Sequence, residues 1–402
     1  MIIGIWLTKC ILPTIGGGSS YYDVMIENID KKEFKDVEIA FISNNGPIHG
    51  FNKKVILIPF YRKFLFKLFK SISFLIPVFF KYKYSCFYEN IIGKYLQKKG
   101  VQIIFYPTQG YAYITNFPFI SNNWDIGHKS TYAFPEFFEK NQFNIRNKWY
   151  DYYLKKALMV FSESEAGKQE LIRFTGIAEE KVKVLPIFAG RSILKDIDEE
   201  NQKTILEKYD LKNNQYFFYP AQFWAHKNHY GLLQAFARFL KRNKNYKLIL
   251  TGSDQGNLKY IKNQVNLLKL EQNVVFGGFV NTDEICTFYR NAIALVMTTF
   301  FGPTNMPLLE ALALDCPVLC TDLPGHREIM SDAALYFKPG NYDEIAECME
   351  KILDRNNREK LIANAAIVKR KSKFNIQNTI TKMEKYFLEI KNVRNCWGQN
   401  NW

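Results

Sequence analysis

Residues 293–321, IALVMTTFFGPTNMPLLEALALDCPVLCT, decide the fold. Ile293–Thr299 is a short apolar run bounded by turn residues, the pattern of a strand buried on both faces. Gly302 and Pro303 interrupt it. Pro307 stands where proline is tolerated, in the first turn of a helix, and the apolar helix that follows carries one carboxylate, Glu310. Pro317–Thr321 returns as a second buried run. A strand, a helix and a strand in such short order belong to a parallel sheet. The helix start offers unpaired N–H groups to a phosphate, and Glu310 offers acceptor oxygens to a pair of hydroxyls.

The same alternation extends on both sides of this stretch. Tyr216–Ala221, Lys247–Gly252 and Asn273–Gly277 read as strands, and His229–Lys241 as an amphipathic helix with Leu232, Leu233, Phe236, Phe239 and Leu240 on one face. The first half carries a looser version: strands at Met1–Leu7, Val37–Ser43, Val101–Pro107, Leu158–Ser162 and Val182–Pro186, helical periodicity at Asn147–Ala157 and Glu165–Phe174. Gly16–Gly18 reads as a loop ahead of a helix capped by Ser19 or Ser20. Ala189–Lys203, charged and without apolar period, reads as the linker. The expected fold class is α/β, two doubly wound domains over residues 1–188 and 204–375, with the ligand in the crevice between them at the strand ends.

Composition narrows the partners. The 402 residues are 47% hydrophobic and carry a net charge of +15, which favours phosphorylated substrates, anionic lipid or nucleic acid. No recognised nucleic-acid motif accompanies the charge, so no nucleic-acid partner is expected. Seven cysteines without a C-x-x-C pair read as reduced thiols of a cytosolic protein, not as a zinc site. Met1–Leu12 lacks a cleavage-site pattern and reads as a first strand, not a signal peptide. No uninterrupted apolar run reaches the roughly 20 residues that span a bilayer.

Phe60–Tyr84, FYRKFLFKLFKSISFLIPVFFKYKY, stands apart. Its first part places Arg62, Lys63, Lys67 and Lys70 among Phe66, Phe69 and other apolar residues at helical spacing. A basic amphipathic helix of this kind lies in the headgroup region of an anionic membrane. An ordinary helix with a solvated lysine face is the alternative.

Two further segments carry polar groups suited to chemistry. In Tyr219–His229, YPAQFWAHKNH, Lys227 stands near a helix N-terminus, where charge and dipole both favour a diphosphate; Gln222 and His226 lie in the same loop. Lys227 and Asn228 could also simply start the helix. In Trp124–Lys129, Asp125 and His128 fit a metal pair, a base with its orienter, or a structural hydrogen bond; two groups are too few for a metal site. Asp196 and Asp198 form a D-x-D in the charged linker, where no metal role is expected. There is no P-loop, and Gly16–Gly18 is not a dinucleotide fingerprint.

Together the Gly-Gly loop, Asp-x-x-His, Ser164–Glu165, Lys227–Asn228 and the Glu310 helix resemble the family 4 retaining glycosyltransferases of GT-B fold. The likeness covers nearly the whole chain and is densest from Phe217 to Pro339: YPAQFWAHKNH, LILTGSD, VVFGGFV, FFGPTNMPLLEALALDCPVLCTDLPGHREI and AALYFKP. It is closest to the branch acting in O-antigen and capsule assembly, often mannosyl- or rhamnosyltransferases. The resemblance implies a nucleotide-sugar donor in the second domain and a lipid-linked saccharide acceptor in the first, no cofactor and no metal. It implies Glu310 on the ribose hydroxyls and Lys227 on the diphosphate, with Gly17 and Gly18 nearby. It places Thr304, Asn305, Met306, Pro307 and Leu308 around phosphate and sugar, His128 near the reaction centre, and a C-terminal helix, about 376–390, crossing back onto the first domain. A cytoplasmic protein held at the inner face of the cell membrane follows from it.

Three positions depart from the family pattern. Gly302 replaces a glutamate that commonly touches the donor sugar, Gln222 and Ala221 stand where an arginine is usual, and Asp315 replaces a glycine after the helix. Gln222, His226 or Asn305 would then take over donor contacts. These departures also motivate a second class of reading, a non-catalytic partner in a polysaccharide complex; a nucleotide-sugar epimerase is a third.

Overall fold

The computed structural model describes residues 1–8, 16–44, 48–59, 89–110, 112, 114–131, 134–190 and 196–396. Two parallel sheets form it. The first orders its strands β3-β2-β1-β4-β5-β6-β7: β1 Ile2–Leu7, β2 Glu38–Ser43, β3 Val55–Leu57, β4 Val101–Gln109, β5 Phe119–Asn123, β6 Met159–Ser162 and β7 Val182–Val184. The second orders them β10-β9-β8-β11-β12-β13: β8 Tyr216–Pro220, β9 Lys247–Thr251, β10 Val274–Gly278, β11 Ala294–Met297, β12 Val318–Thr321 and β13 Ala334–Phe337. Every strand pair is parallel. The central strands are buried along their length because helices cover both faces, which is why they read as continuous apolar runs rather than alternating ones.

Both sheets reverse direction once, at β1/β4 and at β8/β11. At such a switch point adjacent connections leave to opposite faces and open a crevice at the carboxyl ends of the strands. The loops leaving β8 and β11 are YPAQFWAHKN and TTFFGPTN, the segments singled out from sequence.

The helices that matter for this crevice are α1 Gly16–Lys31, α2 Gly127–Ser130, α3 Glu165–Thr175, α4 His229–Leu240, α5 Met306–Ala313, α6 Pro324–Met330 and α7 Ile376–Arg394. Helix α1 covers Gly16–Lys31, so Gly17 and Gly18 are helical and not part of a loop. The expected linker shrinks as well: residues 199–208 form a helix capped by Asp198, whose side chain accepts from the Asn201 N–H. Its few apolar residues hid it, yet Leu206 is buried. Asp196 pairs with Arg290, which gives the D-x-D a structural use. Strands β3, β5 and β13 were not anticipated from the sequence. The segment 147–157 is helical but irregular, a wide turn at Trp149–Tyr153 followed by a tight one at Leu154–Lys156. Asp315 has φ 57°, the left-handed cap conformation that aspartate tolerates, and Lys369 bonds both its carboxylate and the Ala313 carbonyl. Phe60–Tyr84, with Arg62, Lys63, Phe66, Lys67, Phe69 and Lys70, lies outside the described residues. No helix among the described residues is long and apolar enough to cross a membrane.

Helix α7 returns across the first sheet. Phe387 is fully buried against Phe34, Phe105 and Phe161; Thr379 donates to the Pro186 carbonyl at 2.6 Å, and Tyr386 to the Val184 carbonyl at 3.2 Å. Large aromatic truncation at such a site costs about 3–5 kcal/mol. Phe387→Ala should therefore lower the urea midpoint of the first domain's unfolding transition; an unchanged midpoint would show that α7 is not part of that domain's core.

Candidate active site at the strand ends

Asn228 accounts for the local architecture of the β8 loop. It adopts φ 56°, and its side-chain oxygen caps α4 by accepting from the Gly231 N–H at 3.0 Å. Its amide nitrogen donates to the carbonyls of Thr298 (3.1 Å) and Pro339 (2.8 Å), tying the loop to β11 and to the end of β13. The residue before it is thereby placed at the strand ends. The Lys227 carbonyl accepts from the Tyr219 hydroxyl at 2.8 Å and from Thr298 at 3.3 Å, so its backbone is fixed from two sides. The two sequence readings divide between neighbours: Asn228 starts the helix, and Lys227 is left to reach across the crevice.

It reaches Asn305, donating to Oδ1 at 3.0 Å. Asn305 precedes α5, so the ammonium sits beside the start of the Glu310 helix. Burial pushes the Lys227 pKa down to about 8, against the opposing pull of Asp125, Glu136 and Glu163. An ammonium that is costly to keep charged gains from an incoming anion. Met306 leads α5, where the N–H has no intrahelical acceptor. Pro307 has no N–H to offer. Leu308 is structural, with its side chain in the core and its N–H bonded to the Asn305 carbonyl at 3.1 Å. Glu310 is half-buried, and its Oε2 accepts from the Tyr289 hydroxyl at 2.9 Å. Burial and the Glu310 charge hold Tyr289 protonated, so it stays a donor. Tyr289 was invisible in the sequence because it falls on the buried face of an ordinary amphipathic helix.

Gly302 has φ 130°, and a Cβ there would stand 2.6 Å from Asn305 Nδ2 and 2.9 Å from the Thr304 carbonyl oxygen. The departure from the family pattern is thus built in: a side chain at 302 and the present Asn305 carboxamide exclude each other.

The first domain closes on this loop. Gly127 packs so tightly on Phe301 that a Cβ would lie 2.4 Å from the ring. Glu136 accepts from Nδ1 of His226, whose ring stacks on Phe301 at 4.2 Å. Burial pushes the His226 pKa down to about 4, so the imidazole is neutral; burial opposes the Glu136 charge, but the bonds from His226 outweigh it and hold that carboxyl below its usual range. His226 is therefore engaged between the domains. Gln222 accepts from the Trp224 indole at 2.9 Å. Thr304 donates to Glu163, a buried carboxyl pushed up to about 8 by burial. Ser164 caps α3 through the Gly167 N–H and also bonds the Pro303 carbonyl, while Glu328 of α6 accepts from the Glu165 and Ala166 N–H groups at 3.0 Å.

His128 is 3% exposed, and neither ring nitrogen has a partner among the described residues. Phe137, Phe143 and Tyr150 surround it, and burial pushes its pKa down to about 4. Asp125 does not orient it. That carboxylate pairs with Arg146 at 2.6 Å and accepts from the Gly127 N–H at 3.0 Å.

Residues 201–368 match the family model described as Glycosyl transferases group 1. That match falls on the second domain and spans less than half of the chain. The chain is 24% identical over 255 residues to the O-antigen chain mannosyltransferase B of Escherichia coli, covering 63% of this chain and 66% of that protein. It is 25% identical over 190 residues to the O-antigen chain mannosyltransferase RfbU of Salmonella typhimurium, covering 46% and 48%. These alignments span about half to two thirds of the relatives' own length. Among solved structures, Anabaena Alr3699/HepE in complex with UDP and glucose superposes with a TM-score of 0.69 at 18% identity, covering 97% of this chain and all of that one. A glycosyltransferase from Rickettsia africae superposes at 0.68 with 16% identity, covering 97% and 98%. The chain has the GT-B fold, and its second domain contributes Lys227, Asn305 and Glu310 to the crevice.

Introducing the family's glutamate should harm this protein. Gly302→Glu would strain the backbone by about 1–3 kcal/mol and displace Asn305, giving a lower melting temperature and weaker nucleoside diphosphate binding. Tighter binding would show that the loop tolerates the side chain.

Proposed function

We propose that the protein is a retaining glycosyltransferase that moves a hexose of mannose or rhamnose type from a nucleotide diphosphate sugar to a lipid-linked saccharide in bacterial surface-polysaccharide synthesis. The observation that carries this reading is the meeting of Lys227 with Asn305 at the start of the Glu310 helix, on the switch point of the second sheet. A half-buried ammonium and a helix N-terminus side by side form a receptor for a diphosphate. Glu310, steadied by Tyr289, is one helical turn further and suits a vicinal diol such as ribose. The likeness to O-antigen mannosyltransferases supports the polysaccharide context and the sugar class.

In this reading the bond from the sugar's anomeric carbon to the diphosphate oxygen breaks as the acceptor oxygen attacks from the same face. The departing phosphate oxygen takes the acceptor's proton. Charge develops on the diphosphate, and Lys227 with the α5 terminus lowers its energy without reorganisation. His128, neutral and without a partner among the described residues, has two ring nitrogens for sugar hydroxyls; a buried polar group left unpaired costs about 1–3 kcal/mol, which a ligand would relieve. The reaction balances with donor and acceptor alone. The segment Phe60–Tyr84 would bring the first domain to the anionic cytoplasmic leaflet, where a lipid-linked acceptor resides.

Assay of transfer from labelled nucleotide sugars to membrane acceptor tests the reading: Lys227→Ala and Glu310→Ala should each lose at least about 100-fold in rate, and wild-type-like transfer by both would refute it. Lys227 also sets a pH dependence. Protonated below about 8 and neutral above it in the free protein, it should make nucleoside diphosphate affinity fall between pH 7.5 and 9.5. Lys227→Met should flatten that profile, and an identical fall in the variant would remove Lys227 from the site.

A further inference from the structure

His326 lies in α6, fully buried, and belongs to none of the residues assigned above. Its Nδ1 is 2.8 Å from the Thr321 carbonyl oxygen, and its Nε2 is 2.9 Å from Asn305 Nδ2. A carbonyl only accepts, so Nδ1 carries the proton, and Nε2 of the neutral ring accepts from the Asn305 amide. This fixes which way the carboxamide points. With Nδ2 spent on His326, Oδ1 faces Lys227 Nζ at 3.0 Å. The opposite orientation would set an amide N–H against an ammonium, donor against donor. Burial pushes the His326 pKa down to about 4, so the ring stays neutral in this tautomer at physiological pH.

The far end of the chain of bonds is equally fixed. Thr321 closes β12, and its single hydroxyl proton lies between the carbonyls of Thr299 (2.8 Å), just past β11, and Met297 (3.0 Å), at the end of β11. The line Thr321–His326–Asn305–Lys227 thus runs from the sheet to the ammonium through hydrogen bonds of ordinary length. It also gives Gly302 a reason. The Asn305 amide nitrogen, held by His326, fills the space that a Cβ at 302 would need.

We propose that His326 is a positioning residue for the diphosphate site: its neutral Nδ1–H tautomer orients Asn305, and Asn305 holds the Lys227 ammonium where the donor's diphosphate arrives. His326 touches no substrate and acts through Asn305. The inference deepens the glycosyltransferase reading and rests on it.

The test compares binding of UDP and GDP with that of the corresponding monophosphates by calorimetry, on the full chain and on His326→Leu and His326→Gln. The wild type should prefer a diphosphate. His326→Leu should lose about tenfold in diphosphate affinity, the scale of one charge-assisted hydrogen bond, with monophosphate affinity unchanged. In His326→Gln the side-chain oxygen still accepts from Asn305, so most of the loss should be recovered. Equal loss for both ligands, or no recovery in the glutamine variant, would mean that His326 only supports the fold and would overturn the proposal. Nitrogen-15 NMR of the wild type gives a reading that needs no variant: an Nδ1–H, Nε2-bare ring down to about pH 5 supports the relay, and the Nε2–H tautomer or protonation near 6.5 overturns it. A wild type that binds monophosphates and diphosphates equally would fail the functional reading itself, whatever the variants do.

Discussion

The hydrogen bond from Lys227 to Asn305 is the constraint on which the rest of the site depends. It joins the loop leaving β8 to the loop leaving β11, and those strands are neighbours only because the sheet is doubly wound with its switch point between them. Everything that fixes this contact is ordinary secondary-structure chemistry. Asn228 caps α4 and turns Lys227 toward the crevice, Tyr219 and Thr298 hold the lysine's backbone, and His326 holds the asparagine. What these groups support is costly in isolation: an ammonium partly drawn out of water, whose charge an anion would favour.

The two domains meet on the same loop. Gly127 against Phe301, Glu136 with His226, and Glu163 with Thr304 all place first-domain groups on the β11 loop or its immediate neighbours. Glu328 serves a comparable role further out, completing the N-terminus of α3 from the other domain. The geometry of the crevice and the contact between the domains are therefore not separate matters in this chain. A change that moves Phe301 or Thr304 moves both.

Much of the fold was legible because buried parallel strands announce themselves as apolar runs and the helices between them keep their period. The β8–α4 and β11–α5 units were readable almost to the residue. Strands β3, β5 and β13 were not, although β6, β7, β11 and β12, of similar length, were. The helix at 199–208 was missed because its exposed face dominates its composition. Within the site, Lys227 and Glu310 were singled out from residue type beside a helix start, and Asn305 only through the family resemblance. Their supports were not. Tyr289 and His326 act through contacts between elements distant in sequence, and each sits on a helix face that reads as ordinary core. His226 and Gln222 show the converse: polar loop residues that looked ready for a ligand are engaged with Glu136 and Trp224.

The central claim is that Lys227 and the start of α5 form one diphosphate receptor, with Glu310 beside it for the ribose. A crystal structure with a bound nucleoside diphosphate tests this most directly. The account predicts phosphate oxygens within hydrogen-bonding distance of Lys227 Nζ and the Met306 N–H, and ribose hydroxyls on the Glu310 carboxylate. A nucleotide bound elsewhere, or one in this crevice with its phosphates turned away from Lys227, would contradict it.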